Sequence, residues 1–295
     1  IVGHIPMTTL YLGGGTPSVL TADDLHRLLV AVREAFPNLT DDFQFSVEAN
    51  PDLLTKKKID AIHSAIPLDR LSMGIQPLDP DDWLLRDDAF AAQMALRDRL
   101  LETRREAVVA MAEEAGDAAQ ELLDEVLERA YGGATDRVVR PDGVTVGIDR
   151  DDPMGTLGRL VQEDLCILQK SGDEHMLTAA TLCFPASWTL AEKFMKPMLR
   201  IHRPVDSYDA TMARRVQRLF DGVQPGRPLW RFNAFWYEDP ALFHPRREAD
   251  PRSSGGGGDY LRSERQCILR LPRSRAAIFS IHTYVLARRD VAGRA

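Results

Sequence analysis

Residues 70–76, RLSMGIQ, stand where two differently patterned parts of the chain meet and can belong to either. They form a short strand-like run. Upstream, TLYL (9–12) ends in Gly13, Gly14, Gly15, Thr16 and Pro17 and is followed by LTADDLHRLLVAVREAF, a helical pattern with Thr21 placed to cap it. FQFSVEANP (43–51) then alternates Phe43, Phe45 and Val47 with Gln44, Ser46 and Glu48, the period of a half-exposed strand, and a helix is expected over 56–64. With RLSMGIQ as the third strand, the succession implies parallel strands, whose carboxyl ends carry Gly13 to Gly15 and Glu48. Directly downstream, PLDPDDWLLRDD (77–88) is rich in Pro and Asp and does not continue a strand, which places a domain boundary after Gln76.

The rest of the chain reads as a second unit. Phe90 to Glu114 has the composition of one long helix, with Met94, Arg97 and Leu101 on neighbouring turns. Asp117 and Gln120 suggest a capping box for a second helix striped by Leu122, Leu123, Val126 and Leu127, and Tyr131 to Asp152 reads as loops with a hairpin. From Leu157 onward come the β-type runs LVQEDLCIL, HMLTAATLCF, WRFNAFWY, LRSERQCILRL and AAIFSIHTYVL, with a helix ATMARRVQRLFDGV between the second and third. Five such strands suggest a mainly antiparallel sheet, and a helix across it makes a pocket with one apolar wall.

Composition narrows the chemistry. At 295 residues the chain can bury one large or two modest cores, and a net charge of −7 argues against a nucleic-acid or anionic-membrane surface as main partner. Cys166, Cys183 and Cys267 are too few and too scattered for a disulfide framework or a metal ribbon, which fits a reducing, cytoplasmic setting. No apolar run approaches the roughly 20 residues of a membrane span. The start, IVGHIPMTTLYL, lacks a signal-peptide pattern and begins without Met, so further residues upstream are expected.

LYLGGGTPSVL, FSVEANPDLLT and RLSMGIQ, in this order, resemble the radical S-adenosylmethionine enzymes of the oxygen-independent coproporphyrinogen oxidase family over about residues 8 to 76. In that family the Gly-rich turn and the Glu of the second strand help to hold S-adenosylmethionine. The family also needs three closely spaced Cys for its cluster. No Cys precedes Cys166, so no 4Fe-4S cluster is expected and residues 1–76 read as a partial βα fragment.

VQED (161–164), CFPASW (183–188), IHRPV (201–205), RFN (231–233), RSERQCILRLP (262–272) and FSIHTY, preceded by LSMGIQPLDPDDWL, resemble the haem-dependent oxidative N-demethylase family over about residues 71 to 291. RLSMGIQ satisfies both patterns. The resemblance implies an α+β fold: a PAS-like, mainly antiparallel sheet with helices at 77–295, preceded by the radical SAM barrel-like α/β fragment. It implies haem b, a small methylated amine such as dimethylamine and O2 as substrates, formaldehyde as product, and a separate flavin and iron–sulfur reductase as electron donor. A haem or gas sensor without turnover, and a radical SAM fragment of porphyrin metabolism, are the alternative functions.

For the iron ligand, His202 follows apolar Met198 and Ile201 and precedes rigid Pro204, which suits a fixed imidazole entering an apolar space; His175, His244 and His282 are rivals, and Cys183 is a thiolate alternative. Trp188, Asn233 and Arg262 are the further cofactor-binding candidates. Along LRSERQCILRL, period two sets Arg262, Glu264 and Gln266 on one face and Ser263, Arg265, Cys267 and Leu269 on the other. Glu264, or Arg265 from the other face, with Arg231, are the catalytic candidates beside a haem, where oxygen and a protonated amine both need hydrogen bonds. An internal salt bridge or a propionate clamp explains the same residues equally well. SSGGGGD reads as a flexible loop rather than a phosphate cradle.

Overall fold

The structure, a computed structural model, describes residues 6–13, 17–50, 53–202, 210–250 and 258–292, without the side chains at 42, 70, 73, 202, 210–213 and 291–292. Gly14, Gly15, Thr16 and the SSGGG stretch of the Gly-rich loop therefore lie outside the described residues.

The first three strands, β1 (Met7–Leu12), β2 (Leu39–Ala49) and β3 (Arg70–Pro77), are parallel, as the alternation with α1 (Ala22–Ala35) and α2 (Lys56–Ala65) requires. Thr21 caps α1 by accepting the Asp24 backbone N–H at 3.1 Å, and Leu25 and Leu29 of α1 with Ile62 of α2 pack on Phe45 and Val47.

The next stretch departs from the expectation of one helix over 90–114. α3 (Phe90–Thr103) stops where Arg104 leaves helical geometry at φ −139°, and after a short α4 (Arg105–Val108) the chain becomes β4 (Val109–Met111), paired with β8 (Glu174–Thr181). Val108, Val109 and Met111 gain more from joining a sheet edge than from extending an Ala-rich helix, and Leu182 N–H seals the junction on Val108 O at 2.7 Å. The capping box is likewise not made. α5 (Gly116–Tyr131) starts from Ala115 without a side-chain cap, because Gln120 donates instead to the Arg150 carbonyl.

After the hairpin of β5 (Arg137–Val139) and β6 (Thr145–Gly147), α6 (Pro153–Leu160) ends on Leu160, the first residue of the expected β run LVQEDLCIL. Pro153 at its first turn and the Asp152 carboxylate on Gly155 N–H start the helix, and β7 (Asp164–Ser171) begins only after Glu163. The chain continues through β8, α7 (Leu190–Lys193), α8 (Met198–His202), α9 (Ala210–Gly222), β9 (Leu229–Tyr237), β10 (Tyr260–Arg270), β11 (Ala277–Ala287) and α10 (Arg288–Ala292).

The fold is thus mixed α/β around a mostly antiparallel sheet. Nine strands run in the order β1-β2-β3-β9-β10-β11-β7-β8-β4, and β3 is the joint, parallel to β2 and antiparallel to β9. One face is covered by helices: α1 and α2 over β1 to β3, and α5 and α6 over Trp230, Cys267, Ile278 and Ile167. The opposite face is apolar at one end, where α7, α8 and α9 cover Cys166, Leu168, Ile268 and Ala277. Towards β9 and β3 it turns polar.

Candidate functional site: the polar face of the central strands

Antiparallel register puts directly opposed residues on one face. Ser72, Asn233, Glu264 and Thr283 therefore form a row across β3, β9, β10 and β11, flanked by Arg231 opposite Gln266 and by Phe235 opposite Arg262. The structure brings Arg231, Asn233, Arg262 and Glu264 together on this face. Arg265 lies on the other, where it donates to the Asp82 carbonyl at 2.7 Å and stacks 5.5 Å from the Trp230 ring centre.

Within the row, Glu264 is 8% exposed. Its Oε2 accepts from Gln266 Nε2 at 3.0 Å, and Oε1 lies 3.5 Å from Arg262 Nε. A buried carboxylate is tolerable only with such partners. Arg262 is itself buried and donates to two loop carbonyls, Leu242 O at 3.0 Å and Phe184 O at 2.6 Å, so it braces the segment that leads to Trp188. Asn233 Oδ1 accepts from Ser72 Oγ at 3.1 Å and from Arg231 Nη2 at 2.8 Å. The hydroxyl of Thr283 is buried with no hydrogen-bond partner among the described residues.

A second set of buried charges holds the site's walls. Arg97, on the inner stripe of α3, is fully buried and pairs with Asp164 at 2.7 Å while donating to the carbonyls of Gly158, Gln162 and Glu163. Asp164 in turn accepts the backbone N–H groups of Cys183 at 2.7 Å and Phe184 at 2.8 Å. The Leu182 to Trp188 segment is thus held from below by Asp164 and from the side by Arg262. Sequence reasoning assigned no role to Arg97, although a guanidinium among Met94 and Leu101 is the signal of a buried partner.

Trp188 is half-buried against the apolar cluster with Phe194, Ile201 and Phe279. His202 is the last residue of α8, one position after Ile201 of that cluster, and its side chain lies outside the described residues.

The rival histidines differ in what their rings can do. His282 is spent: Nδ1 is 2.9 Å from Glu163 Oε1 and Nε2 is 3.2 Å from Asp87 Oδ2. Burial works against its charged form, but the hydrogen bonds and charges of Glu163 and Asp87 outweigh it and raise its pKa. His175 is held by one side chain, since Gln217 Oε1 accepts its backbone N–H and Gln217 Nε2 meets Nδ1 at 2.6 Å. Its Nε2 is buried without a hydrogen-bond partner among the described residues, and burial, with Arg270 nearby, lowers its pKa. His244 stands edge-on to Tyr237, with Nε2 3.6 Å from Asp239 and Nδ1 buried and unpartnered among the described residues. Burial pushes the Cys183 thiol up to about 11, which makes it a poor source of thiolate. Among the described residues, no three His, Cys, Asp or Glu side chains are grouped to hold a metal ion, and no helix is long and apolar enough to cross a membrane.

Several known proteins are similar to the first part of this chain. The heme chaperone HemW of Bacillus subtilis is 34% identical over 79 residues, covering 27% of this chain and 21% of that protein. The oxygen-independent coproporphyrinogen III oxidase of Paracoccus denitrificans is 36% identical over 77 residues, 26% of this chain and 17% of its own length. HemW of Lactococcus lactis is 43% identical over 70 residues, 24% and 18% respectively. The chain thus spans about a fifth of the length of these curated relatives. A family profile described as haem-dependent oxidative N-demethylase, alpha subunit-like, matches residues 74–132 and 133–294, which takes in α3 to α10 and every strand from β4 onward. On that match, over most of its length, the chain belongs to the haem-dependent oxidative N-demethylase, alpha subunit-like family.

Proposed function

We propose that the protein catalyses haem-dependent oxidative N-demethylation of a small methylated amine with O2, and that the polar face of β9 and β10 is where the amine binds. The observation that carries this reading is Glu264, a buried carboxylate fixed from two sides by Gln266 and Arg262 and set next to the apolar wall under α7 to α9. A protonated amine is all donors at nitrogen, and a carboxylate with further lone pairs is its natural acceptor.

The residues present fit a haem. Trp188, Phe194, Ile201 and Phe279 of one apolar cluster supply the kind of wall that a haem face packs on. His202, at the end of α8, is our choice for the iron ligand. The Gln217 amide gives its donor end to Nδ1 of His175, whereas a ligating imidazole donates from its second nitrogen. Trp188, Arg262 and Asn233 would be the further residues that hold the haem. Haem b, when bound, supplies the oxidation of the N-methyl carbon. The methylated amine, O2, two protons and two electrons from a separate flavin and iron–sulfur reductase would give the demethylated amine, formaldehyde and water. This chain's own part is to bind and orient the amine on Glu264, and to keep that carboxylate in place through Gln266 and Arg262.

The five strands β9-β10-β11-β7-β8, with α7 to α9 on one face, support a PAS-like domain at 77–295. We take residues 1–76 as a radical SAM-like βα fragment used here as a sheet extension, and the setting as cytoplasmic.

The test is amine-dependent oxygen consumption and formaldehyde release by haem-loaded protein supplied with reductant. Glu264→Gln is expected to lower kcat/KM roughly ten- to hundredfold. Unchanged turnover in that variant would remove Glu264 from the site.

A further inference from the structure

Charge is spread unevenly along this chain. Its net charge is −7, yet residues 193–218 hold seven Lys and Arg against two Asp, a local excess of five positive charges. The fold gathers much of that excess on one surface. Pro197, just ahead of α8, bridges to Met176 of β8, and Gln217 of α9 holds His175, the residue before it. Both helices therefore lie over the same end of β8, with Met198, Ile201, Val216 and Phe220 turned to the apolar cluster beneath. On the outer side Lys196, Arg215 and Arg218 are exposed, and their side chains make no hydrogen bond or ion pair among the described residues. Two acids at these helices are already taken. Asp221 of α9 pairs with Lys170 at 2.7 Å, and Glu248, which Arg200 reaches at 3.2 Å, pairs with Lys193 at 2.6 Å. Asp173 and Glu174, next to His175 in sequence, offset only part of the excess. Leu199, on α8 itself, is 48% exposed.

Unpaired like charges on one surface repel each other, and a negative partner relieves them. An exposed leucine with cations on its own and the adjoining helix has the make-up of a small protein interface, an apolar contact with a charged rim. A protein can confine its negative charge to one patch, whereas an anionic bilayer or a duplex extends beyond it, against the negative remainder of the chain. We infer that the outer side of α8 and α9 is the docking surface for an acidic electron-carrier protein. The carrier follows from the place: α8 ends on His202, and its inner side belongs to the apolar cluster assigned above to the haem. That part rests on the haem reading. Each encounter would pass one electron, oxidising the carrier and reducing ferric iron to ferrous, with no bond made or broken. Charges of this kind act mainly on the rate of encounter, so dependence on salt is their signature.

The probe is flavodoxin, a small acidic flavoprotein. Its binding to the full-length protein is measured by calorimetry, and its reduction of the haem-loaded protein by stopped-flow absorption, both at low and high salt. The variants are Lys196→Glu with Arg215→Glu and Arg218→Glu, and, as a control of equal charge change on other elements, Arg33→Glu with Arg99→Glu and Arg137→Glu. The first set is expected to weaken binding and slow reduction about tenfold or more at low salt, and the control set less than about threefold. Reduction by dithionite, which needs no docking, should stay the same in both. Equal losses in the two sets would mean a general effect of net charge and overturn the inference, as would no binding, or binding that the first set leaves intact. Tighter binding of phosphatidylglycerol vesicles or of duplex DNA than of flavodoxin, lost in the first set, would also overturn it and give the surface to a polyanion. If flavodoxin binding follows the expected pattern but the protein takes up no haem, the haem reading fails while the docking surface for an acidic protein stands.

Discussion

Arg97 shows how much one side chain can organise. It is fully buried, as is its partner Asp164, and together they fix the backbone of Cys183 and Phe184. Arg97→Ala would leave Asp164 charged and uncompensated, and is expected to cost about 3–5 kcal/mol, seen as a lower denaturation midpoint; a change below about 1 kcal/mol would contradict the role given to the pair. His282 sets a pH dependence. Its folded-state pKa is raised above the unfolded value, so its stabilising contribution is complete below about pH 6.5 and is lost as pH rises through the folded pKa. Thermal unfolding of the protein and of His282→Gln between pH 6 and 9 checks this: the difference between them should shrink as pH rises. Much of the polar face was readable from period two alone, since it put Arg262 with Glu264, Arg231 with Asn233, and Arg265 opposite. What Arg262 holds was not readable, because carbonyls of Phe184 and Leu242 reach it from loops 78 and 20 residues away in sequence.

At the scale of elements, the strands over 160–286 and the parallel start were legible, because burial on one or both faces imposes its period. The errors fell where local signals compete with tertiary pairing. Val109 to Met111 follow a helix-forming composition but serve as an edge strand, and Leu160, the first residue of the expected run LVQEDLCIL, instead ends the helix started by Asp152 and Pro153, with β7 beginning at Asp164. α6 also has a close approach that composition hides. A Cβ on Gly158 would come within 2.6 Å of Thr181 Oγ1 and 3.1 Å of Leu101 Cδ1. Gly158→Ala should therefore destabilise by about 1–3 kcal/mol despite alanine's better helix propensity. A raised melting temperature in that variant would show that β8 and α3 can give way.

The whole molecule is organised by the strand that both resemblances share. β3 closes the parallel unit on one side and pairs with β9 on the other, so the first quarter of the chain covers an edge next to the polar face. Deleting residues 1–73 is expected to expose the β9 edge and cause concentration-dependent association in light scattering; a well-behaved monomer would show that the edge needs no cover. Composition set no such link, since a boundary after Gln76 is compatible with two separate sheets or one. Titration of the protein with haem, followed by absorption, decides whether His202 is the iron ligand proposed for this sheet and its apolar wall. A saturable Soret band at one haem per chain is expected, lost in His202→Ala and kept in His175→Ala; a protein that binds no haem, or a His202→Ala variant with an unaltered spectrum, would overturn that assignment.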